Sequence, residues 1–450
     1  PVMRELRRLD GRIRTTVFVL PCTYAAGTET KVVASIPGID AVVPPGQSLR
    51  FALWGKVPEA VRRFERGALL FLGGEFFLAA RLVRRLKAAG LAYSAGYINS
   101  AGAFERVFAP RESAKAELVR RGVPPESVDV VGDLMVDAAR GSALAAGRDE
   151  ARELLGIGRD DFVVALFPGS RPFEFRYALR FFARAAARLR AECLARGWDR
   201  PLSFVAPVAP FIDERAVSEA LAAVRKDPGA RAELDVGRLL GTKASAGGGD
   251  PGRRAEGASS GLSVEIASPG WRGELGTVSP RGVEGRFDFG SESVSVRFFR
   301  GLSTAVIAAA DMALTVPGSN NAEMAVWGLP MVVCLPLDKP EEIPIDGIMG
   351  LVDRIPLVGR RLKAKAVLKV AERTTFVSLP NRVAREMIVP ELRSRTLLAD
   401  DVAGEALKLL LDPERRAGMS RKLVSTMGPP GAAEKVARGL LEAAYRAGGM

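Results

Sequence analysis

Two short turns in this chain carry residue types suited to binding an anion. The first is PGSR, Pro168 to Arg171, which follows the apolar run Phe162 to Phe167 and precedes a helix-like segment. Gly169 lets a backbone approach an anion, Ser170 and the helix N-terminus offer donors, and Arg171 adds a delocalised cation. The same pattern also serves as a plain strand-to-helix connection. The second turn is PGSNNAE, Pro317 to Glu323, in the stretch DMALTVPGSNNAEMAVWGLPMVVCLPLD. Gly318, Ser319 and Asn320 can donate to a diphosphate while Glu323 accepts from ribose hydroxyls. Equally, Asn320 can cap the helix with Glu323 reaching back to it. A third candidate is Glu75, which ends the apolar run GALLFLGGE behind two glycines. With a raised pKa it could take a proton from a substrate hydroxyl. An acid at that place also reads as a helix cap or a solvated side chain.

Composition narrows the chemistry. The 450 residues include no histidine, which excludes Ser-His and Cys-His nucleophiles and His-ligated metal sites. Cys22, Cys193 and Cys334 are far apart and set in apolar runs, so buried, reduced thiols of a cytosolic protein are expected. The formal net charge of +13 suits anionic partners: phosphorylated substrates, anionic lipid or nucleic acid. The charge is spread along the chain without a nucleic-acid motif, so no nucleic-acid partner is expected. Glu75 and Asp311 interrupt the two longest apolar runs, and no membrane span results. The chain opens at Pro1 on VMRELRRL without an initiator Met, so a first strand is expected to be missing ahead of it.

These residues need elements to hold them. Apolar runs at Arg14 to Leu20, Gly67 to Glu75, Leu91 to Tyr97, Val128 to Val131, Phe162 to Phe167, Leu202 to Pro207, Val294 to Phe299, Asp311 to Val316 and Met331 to Leu335 read as strands. Helix-period segments alternate with them, which predicts mostly parallel α/β sheets covered on both faces. Phe175, Leu179, Phe182, Ala186, Leu189 and Cys193 are spaced by four and three and share one helix face. Three regions are expected: residues 1–147, residues 148–425, and a C-terminal helix at 426–450 packing back on the first. Residues 241–290 hold 13 of the 47 glycines and read as a disordered insertion in a surface loop. From Arg354 to Arg373, seven Lys or Arg and one acid are mixed with Ile, Leu and Val. That segment reads either as a contact with an anionic membrane surface or as an ordinary domain helix with solvated lysines.

The order of the motifs is more specific than any one of them. FPGSR, ADMALTVPGSNNAEMAVWGLPMVV, FVSLPNRVAREMIVPEL and LLLDPERRAGM in succession, with VDVVGDLMVDAA ahead of them, resemble the lipid-A-disaccharide synthase family. The resemblance covers most of residues 67 to 450 apart from the insertion, and SLPN with its following V-P-E-L is its most specific part. It implies a GT-B fold: two Rossmann-like α/β domains with parallel sheets facing a central cleft. Residues 1–147 would be the acceptor-side domain and 148–425 the nucleotide-sugar domain. It further implies transfer of a diacylglucosamine-type sugar from UDP to a lipid-linked sugar acceptor, with release of UDP.

Carried over by position, Arg171 looks like the family's phosphate-contacting arginine, and Glu323 like its ribose-binding acid. Asn381 looks like its asparagine near the nucleotide, and Glu75 stands where the family has its catalytic aspartate. The resemblance implies no cofactor and no metal, with the UDP-sugar as donor substrate. It places the protein in the cytoplasm, with contact to the inner face of the cytoplasmic membrane open through Arg354 to Arg373. The alternatives are a catalytically silent UDP- or lipid-binding relative, or a UDP-GlcNAc 2-epimerase-like enzyme. The sequence departs from the family in three places. The Gly-Glu-x-Ser-Gly-Asp stretch is absent, YSAGYINSAGAF replaces an aromatic Pro-Ser-x-Trp-Ala-Trp segment, and GSNN replaces a glycine-threonine turn.

Overall fold

A computed structural model describes residues 1–21, 29–62, 64–141, 147–210, 212–241, 282–337, 340 and 358–448. The chain divides into two compact units. One comprises Pro1–Ser142 with Met427–Met450, and the other most of what lies between. Both are α/β units of Rossmann type, as the alternation of strand and helix patterns predicts.

Among the described residues the first unit holds six strands: β1 (Thr16–Phe18), β2 (Ala41–Val43), β3 (Ala68–Phe71), β4 (Ala89–Tyr93), β5 (Arg106–Ala109) and β6 (Val128–Val130). The last four form a parallel sheet in chain order, while β1 and β2 pair in parallel as a separate ribbon. Phe71, Phe76 and Phe104 pack their rings on one face of the sheet. On the other face, Leu91 and Phe108 meet Val2 and Leu6 of the helix Val2–Leu9, and Val436 and Ala437 of the helix Ala432–Gly448. The Asp137 carboxylate accepts the N–H of Gly431 at 2.7 Å and of Ala433 at 2.9 Å. It thereby caps the C-terminal helix, whose first amides have no partner within the helix.

The second unit holds β7 (Phe162–Phe167), β8 (Leu202–Val208), β9 (Ala230–Leu234), β10 (Val283–Phe289), β11 (Glu292–Arg300), β12 (Met312–Thr315), β13 (Met331–Pro336) and β14 (Glu391–Ser394). They form one sheet in the order β14-β13-β12-β7-β8-β11-β10-β9. All six residues of β7 are buried, as expected for a strand covered on both faces. The helix Pro172–Ala195 lays the predicted face on the sheet, with Phe175, Leu179, Phe182, Ala186 and Leu189 fully buried. Burial of one such aromatic or leucine side chain stabilises by roughly 1.5–3 kcal/mol.

The sheet is mostly parallel, as expected, with β10 running antiparallel to both β9 and β11. One expectation needs correction. The expected insertion at 241–290 does not extend to residue 290, since Val283–Phe289 is strand β10. The cause is legible in the residues: Val283, Gly285, Phe287 and Phe289 alternate inward while Glu284 and Arg286 point out. Gly290, at φ +65°, turns the chain straight into β11, a conformation that favours glycine. Residues 242–281 lie outside the described residues.

The start of β12 is pinned to β7 by a buried ion pair. Arg152, only 2% exposed, donates to Asp311 at 2.9 Å and to the carbonyls of Ala309, Gly158, Arg159 and Asp161. Asp311 also accepts the N–H of Val163 at 2.8 Å and returns its own N–H to the Val163 carbonyl. Burial leads in pulling the Arg152 guanidinium below its ordinary value, and the Asp311 charge works against that shift. The pair therefore fixes the register of the two strands whose far ends carry the turns.

Candidate functional site

From β7 the sheet is built outward through β8, and the chain later returns to the opposite flank of β7 as β12. The order reverses between β7 and β12, and in an open α/β sheet ligands bind at the carboxyl ends of strands beside such a reversal. PGSR leaves the end of β7 and PGSNN leaves the end of β12. Thr315 is the register partner of Phe167, so the two turns start at the same level of the sheet. The structure thus brings together Gly169, Ser170 and Arg171 with Gly318, Ser319 and Asn320.

The second turn differs in detail from its expected capping. Gly318, not Asn320, is the N-cap of the helix Ser319–Trp327. Asn321 reaches back: its Oδ1 accepts the Gly318 N–H at 3.2 Å, and its Nδ2 donates to Thr315 Oγ1 at 3.2 Å and to the Val316 carbonyl at 3.1 Å. Asn321 and Thr315 are fully buried, so this knot fixes the turn from below. Moving the cap to Gly318 carries Glu323 beyond the first-turn amides. Its carboxylate instead accepts the Thr304 hydroxyl at 2.6 Å, and burial raises its pKa despite that bond. Among the described residues, the Ser319 and Asn320 side chains form no hydrogen bonds, and their amides lack intrahelical partners by position.

At PGSR, Arg171 is the N-cap of the helix Pro172–Ala195, and Pro172 takes the first helical position, where its missing N–H costs nothing. Gly169 has φ +101°, which a side chain rarely tolerates. Glu174 folds back over the turn and accepts the Arg171 N–H at 3.3 Å and also the Ser170 N–H. Burial pushes the Glu174 carboxyl up, and the two N–H donors with the Arg171 charge oppose it. Glu174, Asn321, Thr304 and Thr315 escape a reading by motif. The spacing from Arg171 to Glu174 is that of a capping box, which was the only sequence signal for it.

Asn381 lies elsewhere in the unit. Its Oδ1 accepts the N–H of Ile388 and Val389, and its Nδ2 donates to the Val389 carbonyl and to Glu391, all at 2.8–3.0 Å. Its amide is saturated and fully buried, so it builds the loop entering β14 and has no donor left for a nucleotide. Glu391 completes this knot by accepting from Val377, Ser378 and Asn381.

In the first unit, Glu75 occupies the N-cap of the helix Phe76–Leu86, exposed and without a side-chain cap bond. It therefore stands where a cap would, yet its carboxylate is free of partners among the described residues. Exposed Leu72 and Phe77 flank it, and Phe76 meets the exposed Tyr97 ring at 6.2 Å. The same carboxyl edge carries a second cluster. Asp133 accepts from Arg111 at 2.6 Å and from the Met135 N–H at 3.0 Å, and the Tyr93 hydroxyl accepts the Leu134 N–H at 3.2 Å. Burial foremost raises the Tyr93 phenol well above its ordinary value.

Of the basic segment, residues up to 357 lie outside the described residues, and Val358–Arg373 is a helix. Val367 is buried, and Arg393 of β14 donates to the carbonyls of Ala371, Thr374 and Thr375 at the helix end. Among the described residues no helix is long and apolar enough to cross a membrane.

No protein-family model matches the chain. It is 27% identical over 300 residues to a lipid-A-disaccharide synthase of Prochlorococcus marinus (strain MIT 9313), a match covering 66% of this chain and 53% of the relative. The enzyme of the same description from Syntrophus aciditrophicus (strain SB) is 24% identical over 313 residues, 69% of this chain and 56% of that one. A third, from Synechocystis sp., is 30% identical over 154 residues, 33% of this chain and 34% of the relative. The chain spans about half the length of the first two curated relatives it matches. Among solved structures, the UDP-GlcNAc 2-epimerase of Methanocaldococcus jannaschii superposes with TM-score 0.48 at 9% identity, covering 96% of this chain and all of that one. The Neisseria meningitidis UDP-GlcNAc 2-epimerase, solved with UDP-GlcNAc, gives 0.46 at 11%, covering 95% and 100%. The sequence matches converge on one description: over about two thirds of its length this chain is distantly similar to lipid-A-disaccharide synthases.

Proposed function

We propose that the protein transfers a sugar of the (diacyl)glucosamine type from UDP to a lipid-linked sugar acceptor, releasing UDP. One observation carries the donor half. The PGSR and PGSNN turns leave neighbouring parallel strands at one level, at the reversal of strand order. Arg171 supplies the cation for the diphosphate. Gly169, Ser170, Gly318, Ser319 and Asn320 supply close backbone and donors, and Glu323 accepts from the ribose. Negative charge grows on the departing UDP, and donors fixed before the reaction stabilise it there without reorganising.

For the acceptor half, Glu75 takes the proton of the attacking hydroxyl as its oxygen bonds to the anomeric carbon and the bond to UDP breaks. An exposed carboxylate free of other partners among the described residues, beside exposed Leu72 and Phe77, supports that role. The reaction as proposed uses no metal. Asn381, with its amide saturated, acts by holding the loop before β14 rather than by touching the nucleotide. Contact of the basic segment around the helix Val358–Arg373 with an anionic membrane is part of the same proposal. Sedimentation with anionic liposomes, which charge-neutralised variants should lose, tests it.

The direct test of the activity is mass spectrometry of products formed from UDP-diacylglucosamine and a panel of lipid-linked sugar acceptors. Joined sugar and released UDP in equal amounts are expected. UDP binding without any product across the panel would leave a silent binding protein instead.

A further inference from the structure

The PGSR turn already holds an anion that belongs to the chain. Pro172 has no N–H, so the donors nearest the turn are those of Ser170 and Arg171, and Glu174 accepts both. The side chain lies directly over the glycine: a Cβ added to Gly169 would sit 2.4 Å from Glu174 Cβ and 2.6 Å from Oε2. A diphosphate directed to these amides meets a carboxylate in contact distance, and like charges so placed repel strongly. Among the described residues, the PGSNN turn has no such occupant. There the cap is the neutral amide of Asn321, and the Ser319 and Asn320 side chains are unengaged among the described residues.

We infer that Glu174 is a resident anion of the diphosphate site, which holds the Ser170 and Arg171 amides until a diphosphate takes them. Its carboxylate then weakens binding in proportion to the phosphate charge of the ligand, and leaves the nucleoside alone unaffected. The side chain is a positioning and specificity-determining residue rather than a catalytic one. This inference rests on the reading of the two turns as a UDP site.

The test compares UDP and uridine binding by calorimetry in the full chain, for the wild type, Glu174→Gln and Glu174→Ala. Gln keeps an oxygen that can accept the same N–H groups and removes only the charge, so the turn keeps its shape. The expected result is UDP affinity raised about tenfold in Glu174→Gln, the scale of a partly screened like-charge contact, with uridine affinity unchanged. A merely structural role would move both ligands together, most of all in Glu174→Ala. Equal UDP affinity in wild type and Glu174→Gln, or weaker UDP binding in the variant, overturns the inference while leaving the UDP site standing. Absence of UDP binding in all three folded proteins overturns the site and the inference with it.

Discussion

Thr315 and Phe167 are register partners across β12 and β7, and just beyond them Val316 donates its N–H to the Phe167 carbonyl. That pairing puts two glycine turns side by side, although about 150 residues separate them in the chain. It depends on the other end of the same strands, where Asp311 bonds both Val163 and the buried Arg152. Replacing Asp311 by Ala leaves a buried guanidinium without its counter-charge. Urea denaturation is expected to show a loss of about 3–5 kcal/mol. A loss below about 1 kcal/mol would mean that the register is held by other contacts.

Asn381 separates a structural from a nucleotide-contacting role. Asn381→Asp cannot donate to the Val389 carbonyl and sets a second carboxylate against Glu391. It is expected to lose about 3 kcal/mol or more of stability, and Asn381→Ala about 2 kcal/mol. UDP affinity of the folded fraction should change little in Asn381→Ala. A selective loss of UDP binding at full stability would restore the nucleotide contact.

Glu323 gives a pH signature of folding. Burial raises its carboxyl above the ordinary 4.5, so the folded protein holds this proton more tightly than the unfolded chain. The stability it contributes is therefore fully present below about pH 4.5 and is lost as pH rises through the raised folded value. Glu323→Gln should flatten that fall when urea midpoints are compared between about pH 4.5 and about pH 7. An unchanged slope in the variant would assign the pH dependence to other groups, Glu174 first among them.

Glu75 should divide binding from turnover. Glu75→Gln is expected to keep UDP affinity and to lower kcat about a hundredfold or more, as removal of a general base does. Addition of a chelator should leave turnover unchanged. Turnover retained in Glu75→Gln would move the base elsewhere.

Much of this was legible in the residues, and the misses have physical causes. Continuous apolar runs marked β7, β12 and β13, and the three-and-four spacing of Phe175 to Cys193 marked the helix face that is buried. Glycine content pointed to an insertion up to residue 290. The alternation from Val283 to Phe289 belongs to a strand, which buries half its side chains whatever the composition around it. Capping was misplaced by two residues because Ser319 and Asn320 are stronger cap types than Gly318. The deciding bond instead comes from Asn321, whose buried position no local pattern announces. Asn381 carried the most specific motif, yet its four hydrogen bonds all stay within the chain. A motif marks a constrained position, and the constraint there is the loop.

The most direct measurement for the central claim is calorimetric titration of UDP into the full chain, with Arg171→Ala as its control. A charge-assisted contact to phosphate predicts saturable binding of UDP by the wild type, weakened roughly tenfold to a hundredfold in Arg171→Ala, with uridine much less affected. Folded wild-type protein with no affinity for UDP, or Arg171→Ala binding UDP as tightly as the wild type, would contradict the placement of the diphosphate at these two turns.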